Sequence, residues 1–274
     1  MTAPTREDIK FFLTKNSKDI PFDFFPNESF RLLMGEKVLK NNSLTKRITG
    51  LEKGEMRTID SFFLIDYLEE KIYKNIYSNY KLAPIDKDFE TLLKEALLLG
   101  RTYFPKEMED LALSSFCLFK NNELISSTTP RFPFQVFFSD KAKNYIAPYN
   151  TPLKKDSRYF LLDNIISASY SHKFNFLCLK EDIWNNDQNW EQRPSLKVKW
   201  KGQSVSFEIE RVLATTFVLS HLEKIRTKAL KESFLNREEE SLVNSELSEL
   251  QNFIKKSVHW LKNEKHWQKN RSWS

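Results

Sequence analysis

Apolar positions recur at helical spacing over the first part of the chain and at a period of two over its middle. The spacing predicts helices at 6–15, at 28–40 with Asn27 as N-cap, and at 58–77, where Ile59, Phe62, Phe63, Leu68, Ile72 and Ile76 form one broad face. After a break at Ala83-Pro84, residues 89–99 make a strongly amphipathic pattern ending at Gly100, a residue suited to a helix C-cap. From Phe116 the alternation predicts short strands at 116–119, 134–138, 145–149, 158–168 and 174–179, separated by polar or Pro-containing turns. Residues 185–194 (NNDQNWEQRP) read as a linker. A hairpin follows at 196–200 and 204–209, turned at Lys201-Gly202-Gln203, and then two long helices at 212–231 and 241–261. The fold class is therefore α+β: a helical N-terminal region, a small antiparallel sheet or barrel, and a C-terminal hairpin plus helices.

Composition narrows the classes. Hydrophobic residues make up 40% of the 274, and 23 are Phe, so the chain can bury a core. No apolar run approaches the roughly 20 residues that span a bilayer, and the N-terminus has no apolar signal core, so a cytoplasmic protein without a membrane partner is expected. Cys117 and Cys178 both sit in apolar surroundings and read as buried, reduced thiols. The 43 basic residues against 37 acidic ones give a net charge of +6, a mild bias compatible with a polyanion partner. Only five Gly occur, none spaced as GxGxxG or a P-loop, which argues against kinases, ATPases and dinucleotide enzymes. His172, His221, His259 and His266 are scattered with no CxxC or HExxH, so no metal and no cofactor is expected. Cys178 and His172 lie close in sequence, but nothing marks either as activated for catalysis.

Two segments carry more specific signals. Asn144-Tyr145-Ile146, then the polar stretch 151–157 (TPLKKDS), then Arg158-Tyr159-Phe160-Leu161-Leu162-Asp163-Asn164-Ile165, resembles the WYL domain, a small Sm-like β-barrel of bacterial regulators. Asn144 stands where that family has Trp, and Leu161 and Asn164 stand where its second motif has arginines. The resemblance implies a groove in which Tyr145 and Phe160 offer aromatic faces and Arg158 and Asn164 polar contacts to a nucleotide or nucleic acid. From the residues alone, Tyr145 and Phe160 are equally readable as core, with Arg158 a strand-edge charge.

WYL proteins commonly carry a winged helix-turn-helix ahead of that domain. Met56-Arg57-Thr58-Ile59-Asp60 through Leu68 resembles the recognition helix of such modules, and Asn79-Tyr80-Lys81-Leu82-Ala83-Pro84 resembles the segment after the wing. In a second register, Leu51-Glu52-Lys53-Gly54-Glu55 resembles a phage-repressor-type signature, which makes 43–51 the recognition helix. The two registers together nominate Thr45, Lys46, Arg47, Thr49, Arg57 and Thr58 for phosphate and base-edge contacts.

The organisation expected is a helix-turn-helix region at 1–85, winged or not, a connecting helix at 86–115, a WYL-like β-barrel at 116–184 and a C-terminal extension at 195–274. The apolar faces of 212–230 and 242–261 either pair with a second copy or pack on each other as an antiparallel hairpin. Beyond them, 262–274 (KNEKHWQKNRSWS) interleaves Lys262, Lys265, Lys269 and Arg271 with Trp267 and Trp273, a pattern suited to single-stranded nucleic acid or to docking on the body. The function expected is a homodimeric, ligand- or nucleic-acid-responsive transcriptional regulator binding duplex DNA. The rival is a non-catalytic accessory or interaction protein of a nucleoprotein complex.

Overall fold

The computed structural model describes residues 56–59, 62–65, 77–110, 115–120, 125–129, 132–148, 151–180, 195–200 and 203–263. The helices expected at 6–15 and 28–40 lie outside the described residues. The chain divides into two units, one of Pro4–Ile146 and Pro152–Trp184, the other of Met1–Ala3, Ala147–Thr151 and Asn185–Ser274. The architecture is mixed α+β.

The first unit holds a six-stranded sheet of β1 (Met56–Ile59), β2 (Phe62–Ile65), β3 (Leu82–Ala83), β4 (Ser115–Phe119), β5 (Ser126–Thr129) and β6 (Phe132–Ser139). Its order is β1-β2-β4-β6-β5, with β3 paired to β4 off this path. The pairs β2–β4 and β4–β6 are parallel, whereas β1–β2, β3–β4 and β5–β6 are antiparallel. Among the described residues the sheet is not closed into a barrel, and it is mixed rather than antiparallel.

The expected helix over 58–77 is corrected in its first part. Residues 56–59 and 62–65 form an antiparallel hairpin, and the recognition-helix reading of this segment goes with it. Thr58, Ile59, Phe62, Phe63 and Ile65 are β-branched or aromatic, side chains that suit a pleated, half-buried surface better than a helix. β1 and β2 also belong to the same sheet as β4 and β6, so the expected N-terminal region and β domain share one sheet.

β4 and β6 are buried on both faces. Phe116 and Cys117 are fully buried, as are Val136, Phe137, Phe138 and Ser139. Parallel strands covered on both sides read as continuous apolar runs. The Cys117 side chain, in no disulfide, lies inside this layer, and the side chain of Cys178 lies outside the described residues. The Phe119 and Phe137 rings stack with centroids 4.9 Å apart and planes 9° off parallel, and Tyr77 packs on both. The Tyr77 hydroxyl is 2.8 Å from Ser127 Oγ. Burial pushes its pKa well above the ordinary value, against the smaller opposing effect of the Ser127 bond. The unfolded chain releases that proton near pH 10 while the folded one keeps it, so stability is intact below about pH 10 and falls as pH rises beyond it. Tyr77→Phe should flatten the alkaline limb of a stability–pH profile measured by urea unfolding, at a cost near neutrality of about 1 kcal/mol for the lost hydrogen bond.

Helix α1 (Lys87–Tyr103) starts where Asp86 Oδ1 accepts from Phe89 N at 2.8 Å and buries Phe89, Leu93, Ala96 and Leu97. The amphipathic segment at 89–99 is observed, but Gly100 is not its cap. The helix runs on to Tyr103, and Phe104 N closes it on Gly100 O at 2.7 Å. A Cβ at Gly100 would overlap Met108 of α2 (Pro105–Asp110) and stand 2.9 Å from Leu162 Cδ1. The glycine is there for close approach, which lets α1 and α3 (Arg158–Lys180) pack together.

α3 replaces the strands expected at 158–168 and 174–179. Every residue from Tyr159 to His172 is buried. A helix enclosed on all sides needs no polar face, so its sequence carries no 3.6-residue period and can mimic alternation. The strand expected at 145–149 is also absent as far as Pro148: a short 3-10 helix, Asp140–Lys143, leads into a loop.

In the second unit β7 (Ser195–Trp200) and β8 (Gln203–Glu208) form the expected hairpin, in register from Ser195↔Glu208 to Trp200↔Gln203. Val198 and Phe207 are buried beneath it, and Trp200, Phe207 and Phe253 cluster at centroid separations of 5.3–5.9 Å. The Arg211 guanidinium lies 3.8 Å over the Phe207 ring. α4 (Ile209–Lys231) and α5 (Arg237–Asn263) pack on each other across a short connection, the antiparallel-hairpin alternative. Buried α5 positions Glu239, Val243, Glu246, Leu250, Phe253 and Ser257 alternate four and three apart. On α4, Val212, Thr215, Leu219, Leu222, Arg226 and Ala229 do the same. This is a coiled-coil-like seam. Of the apolar residues that prompted the expectation of a dimer, Val212, Val218, Leu222, Ile225, Leu250 and Phe253 are buried within the chain, whereas Leu213, Phe217, Leu230, Leu247, Ile254, Val258 and Leu261 are half-buried. The Glu238–Glu240 run opens α5 with a capping box: Asn236 Oδ1 accepts from Glu238 N and Glu239 N, and Glu239 Oε2 accepts from Asn236 N.

Candidate nucleic-acid interface

The described candidates gather where the 3-10 helix, the loop after it and the start of α3 meet. Ser139 Oγ accepts from Lys141 N at 3.2 Å and opens the 3-10 helix, and Lys141 O takes the N–H groups of Asn144 and Tyr145 at 3.1 and 2.9 Å. The returning segment is fastened by backbone bonds from Leu153 N to Asn144 O (2.9 Å) and Ser157 N to Lys143 O (2.8 Å). Lys143 Nζ adds ion pairs to Asp156 at 3.2 Å and Asp140 at 3.5 Å. Burial would lower the Lys143 pKa, but its bond to Asp156 and the charges of Asp156 and Asp140 raise it overall. Ser157 then begins α3, its Oγ accepting from Phe160 N at 3.1 Å.

Asn164 holds this arrangement from below. Its Nδ2 has two hydrogens to share among three carbonyls within bonding distance, those of Ala142 (3.0 Å), Tyr145 (2.7 Å) and Phe160 (2.9 Å), and the residue is 2% exposed. The four candidate groove residues therefore divide. Phe160 is fully buried core and Asn164 is an internal brace, so neither faces a ligand. Tyr145 is half-buried and Arg158 exposed. Phe160 and Asn164 lie one turn apart on a buried helix, whereas the expectation placed them on the same face of a strand that lines a groove.

Sequence reasoning named Arg158 but passed over Lys141, Lys154 and Lys155 in the same segment. Lys141 Nζ lies 5.3 Å from the Tyr145 ring centroid, and Lys154, Lys155 and Arg158 are all exposed. The signal was present in 139–158, where five cations stand against two carboxylates, but TPLKKDS read only as a solvated connection. A partly exposed aromatic ring beside one lysine, in a segment that carries further exposed cations, can stack on a base while the cations attract phosphate. Because the Phe160 N–H is already taken by Ser157, the side-chain cations rather than the helix end supply the attraction.

Among the nominated DNA contacts, Thr45, Lys46, Arg47 and Thr49 lie outside the described residues. Arg57 and Thr58 stand on β1 opposite Leu64 and Phe63, not on a helix. Among the described residues, no group of three or more His, Cys, Asp or Glu could hold a metal ion, and no helix is long and apolar enough to cross a membrane. Neither the family models nor the curated proteins compared with this chain match it.

Proposed function

We propose that this chain is a nucleic-acid-binding protein that acts without catalysis, as a regulator or as an accessory factor of a nucleoprotein complex. The observation that carries the reading is the half-buried Tyr145 ring beside Lys141, in one braced segment with exposed Lys154, Lys155 and Arg158. Phosphates meet the cations, and an unpaired base meets the tyrosine face. The regulator reading adds duplex-DNA contacts at Thr45, Lys46, Arg47 and Thr49 and the WYL resemblance of 144–165. The accessory reading is favoured by the hairpin at 56–65, which occupies one candidate recognition-helix segment. Pairing of two copies, as half-site recognition requires, would use surfaces other than the α4–α5 seam.

The test is anisotropy of labelled duplex and single-stranded oligonucleotides with the full chain across a salt series. Joint Lys154→Gln, Lys155→Gln and Arg158→Gln should lower the slope of log K against log salt by roughly 2 to 3. Tyr145→Ala should weaken single-strand binding by about tenfold, the scale of one lost stacking contact, and leave duplex binding nearly unchanged. A full chain that shows no salt-sensitive binding to either pool at modest ionic strength rules the reading out.

A further inference from the structure

The outward face of α5 separates its charges in a way that helix capping does not require. All its carboxylates, Glu238, Glu239, Glu240, Glu246 and Glu249, lie in the N-terminal half, and no Asp or Glu follows Glu249 within the helix. Beyond it, Asn252, Lys255, His259 and Lys262 are exposed and spaced three, four and three apart, with exposed Lys256 alongside. This spacing puts them on one stripe, away from the seam of Leu250, Phe253 and Ser257. Favourable interaction of cations with the helix dipole is confined to about the last turn, which accounts for Lys262 but not for Lys255 and Lys256. Neighbouring amides are partly engaged: Gln251 Nε2 donates to Glu223 Oε1 at 2.9 Å, and Asn263 Nδ2 donates to His259 O at 2.9 Å. The sequence continues past the helix with Lys265, Lys269 and Arg271 interleaved with Trp267 and Trp273.

We propose that this C-terminal stripe of α5 is a second nucleic-acid-binding surface, contacting the phosphate backbone of a duplex through Lys255, Lys256 and Lys262. The partner class rests on the polyanion reading above; the surface is independent of the Tyr145 segment. Charge complementarity is the argument. Lys255 to Lys262 spans about 10 Å along the helix, comparable with the axial rise of three nucleotides. The stripe itself is wholly polar, which suits a phosphate backbone rather than insertion among lipid chains.

The experiment compares the full chain with a Lys255→Gln, Lys256→Gln, Lys262→Gln variant and with the Lys154, Lys155 and Arg158 variant described above. Probes are random-sequence duplex DNA, duplex RNA, a single strand, and vesicles containing phosphatidylserine. Exposed replacements of this kind leave stability nearly unchanged, and circular dichroism with thermal unfolding checks this. The expected result is a duplex salt slope lower by roughly 2 to 3 in the α5 variant, with affinity at low salt down by about tenfold or more. An unchanged slope in the α5 variant, beside a lowered slope in the other, overturns the α5 surface and leaves the Tyr145 segment standing. Binding to vesicles with no duplex binding also overturns it, in favour of an anionic membrane surface. Failure of the unaltered chain to bind any nucleic acid overturns both.

Discussion

Arg226→Ala should lower the stability of the α4–α5 hairpin by about 3–5 kcal/mol, the usual scale when one member of a buried charged group is removed. Arg226 is fully buried and sits five residues before the end of α4. Glu239 and Glu246, 7% and 3% exposed, stand two and nine residues into α5, so on an antiparallel hairpin Arg226 falls between them in depth. A guanidinium cannot shed its charge, and such a group stays buried only where oxygens satisfy its donors. With Glu239 and Glu246 as its expected partners, its removal leaves buried carboxylates without a counter-charge. Arg226→Met combined with Glu246→Leu should recover most of the loss, because an apolar replacement of similar volume has no charge to desolvate. Urea unfolding, with hydrogen exchange of the α4 and α5 amides as a local readout, measures both. A cost of Arg226→Ala below about 1 kcal/mol would show that the carboxylates are not its partners.

Asn164→Ala should cost about 2–4 kcal/mol, since the Ala142 and Tyr145 carbonyls lose a buried donor and each such loss contributes roughly 1–3 kcal/mol. Phe160 O keeps partners within its helix, so those two carbonyls dominate the loss. The consequence reaches the interface, because Tyr145 is held by its carbonyl while its ring stays half-exposed. Single-strand binding should therefore weaken in Asn164→Ala even at temperatures where the chain remains folded, although Asn164 touches no ligand. Asn164→Asp tests the same point with nearly constant volume: a carboxylate is an acceptor only and has nothing to donate to these carbonyls, so it should be at least as damaging. If Asn164→Ala unfolds the chain without moving the affinity of the folded fraction, the brace does not position Tyr145.

Where an element is buried on one face, the sequence determined it. The helix at 89–99, the hairpin at 195–208 and the last helix, α5, show their period because solvent and core take opposite sides. The Asn236–Glu239 cap adds local chemistry that reads directly. Tertiary structure decided the elements enclosed on every side. Tyr159 to His172 is a helix with the apparent alternation of a strand, and only the cover supplied by α1 and the sheet lets it bury a sequence without a polar face. The parallel pairing of β2, β4 and β6 joins segments far apart in the chain, so no local turn could announce it. The candidate interface has the same origin. Its cations and tyrosine are visible in the sequence, but the shape of the segment that carries them depends on Asn164 reaching carbonyls 19 and 22 residues away, contacts that exist only once α3 is in place.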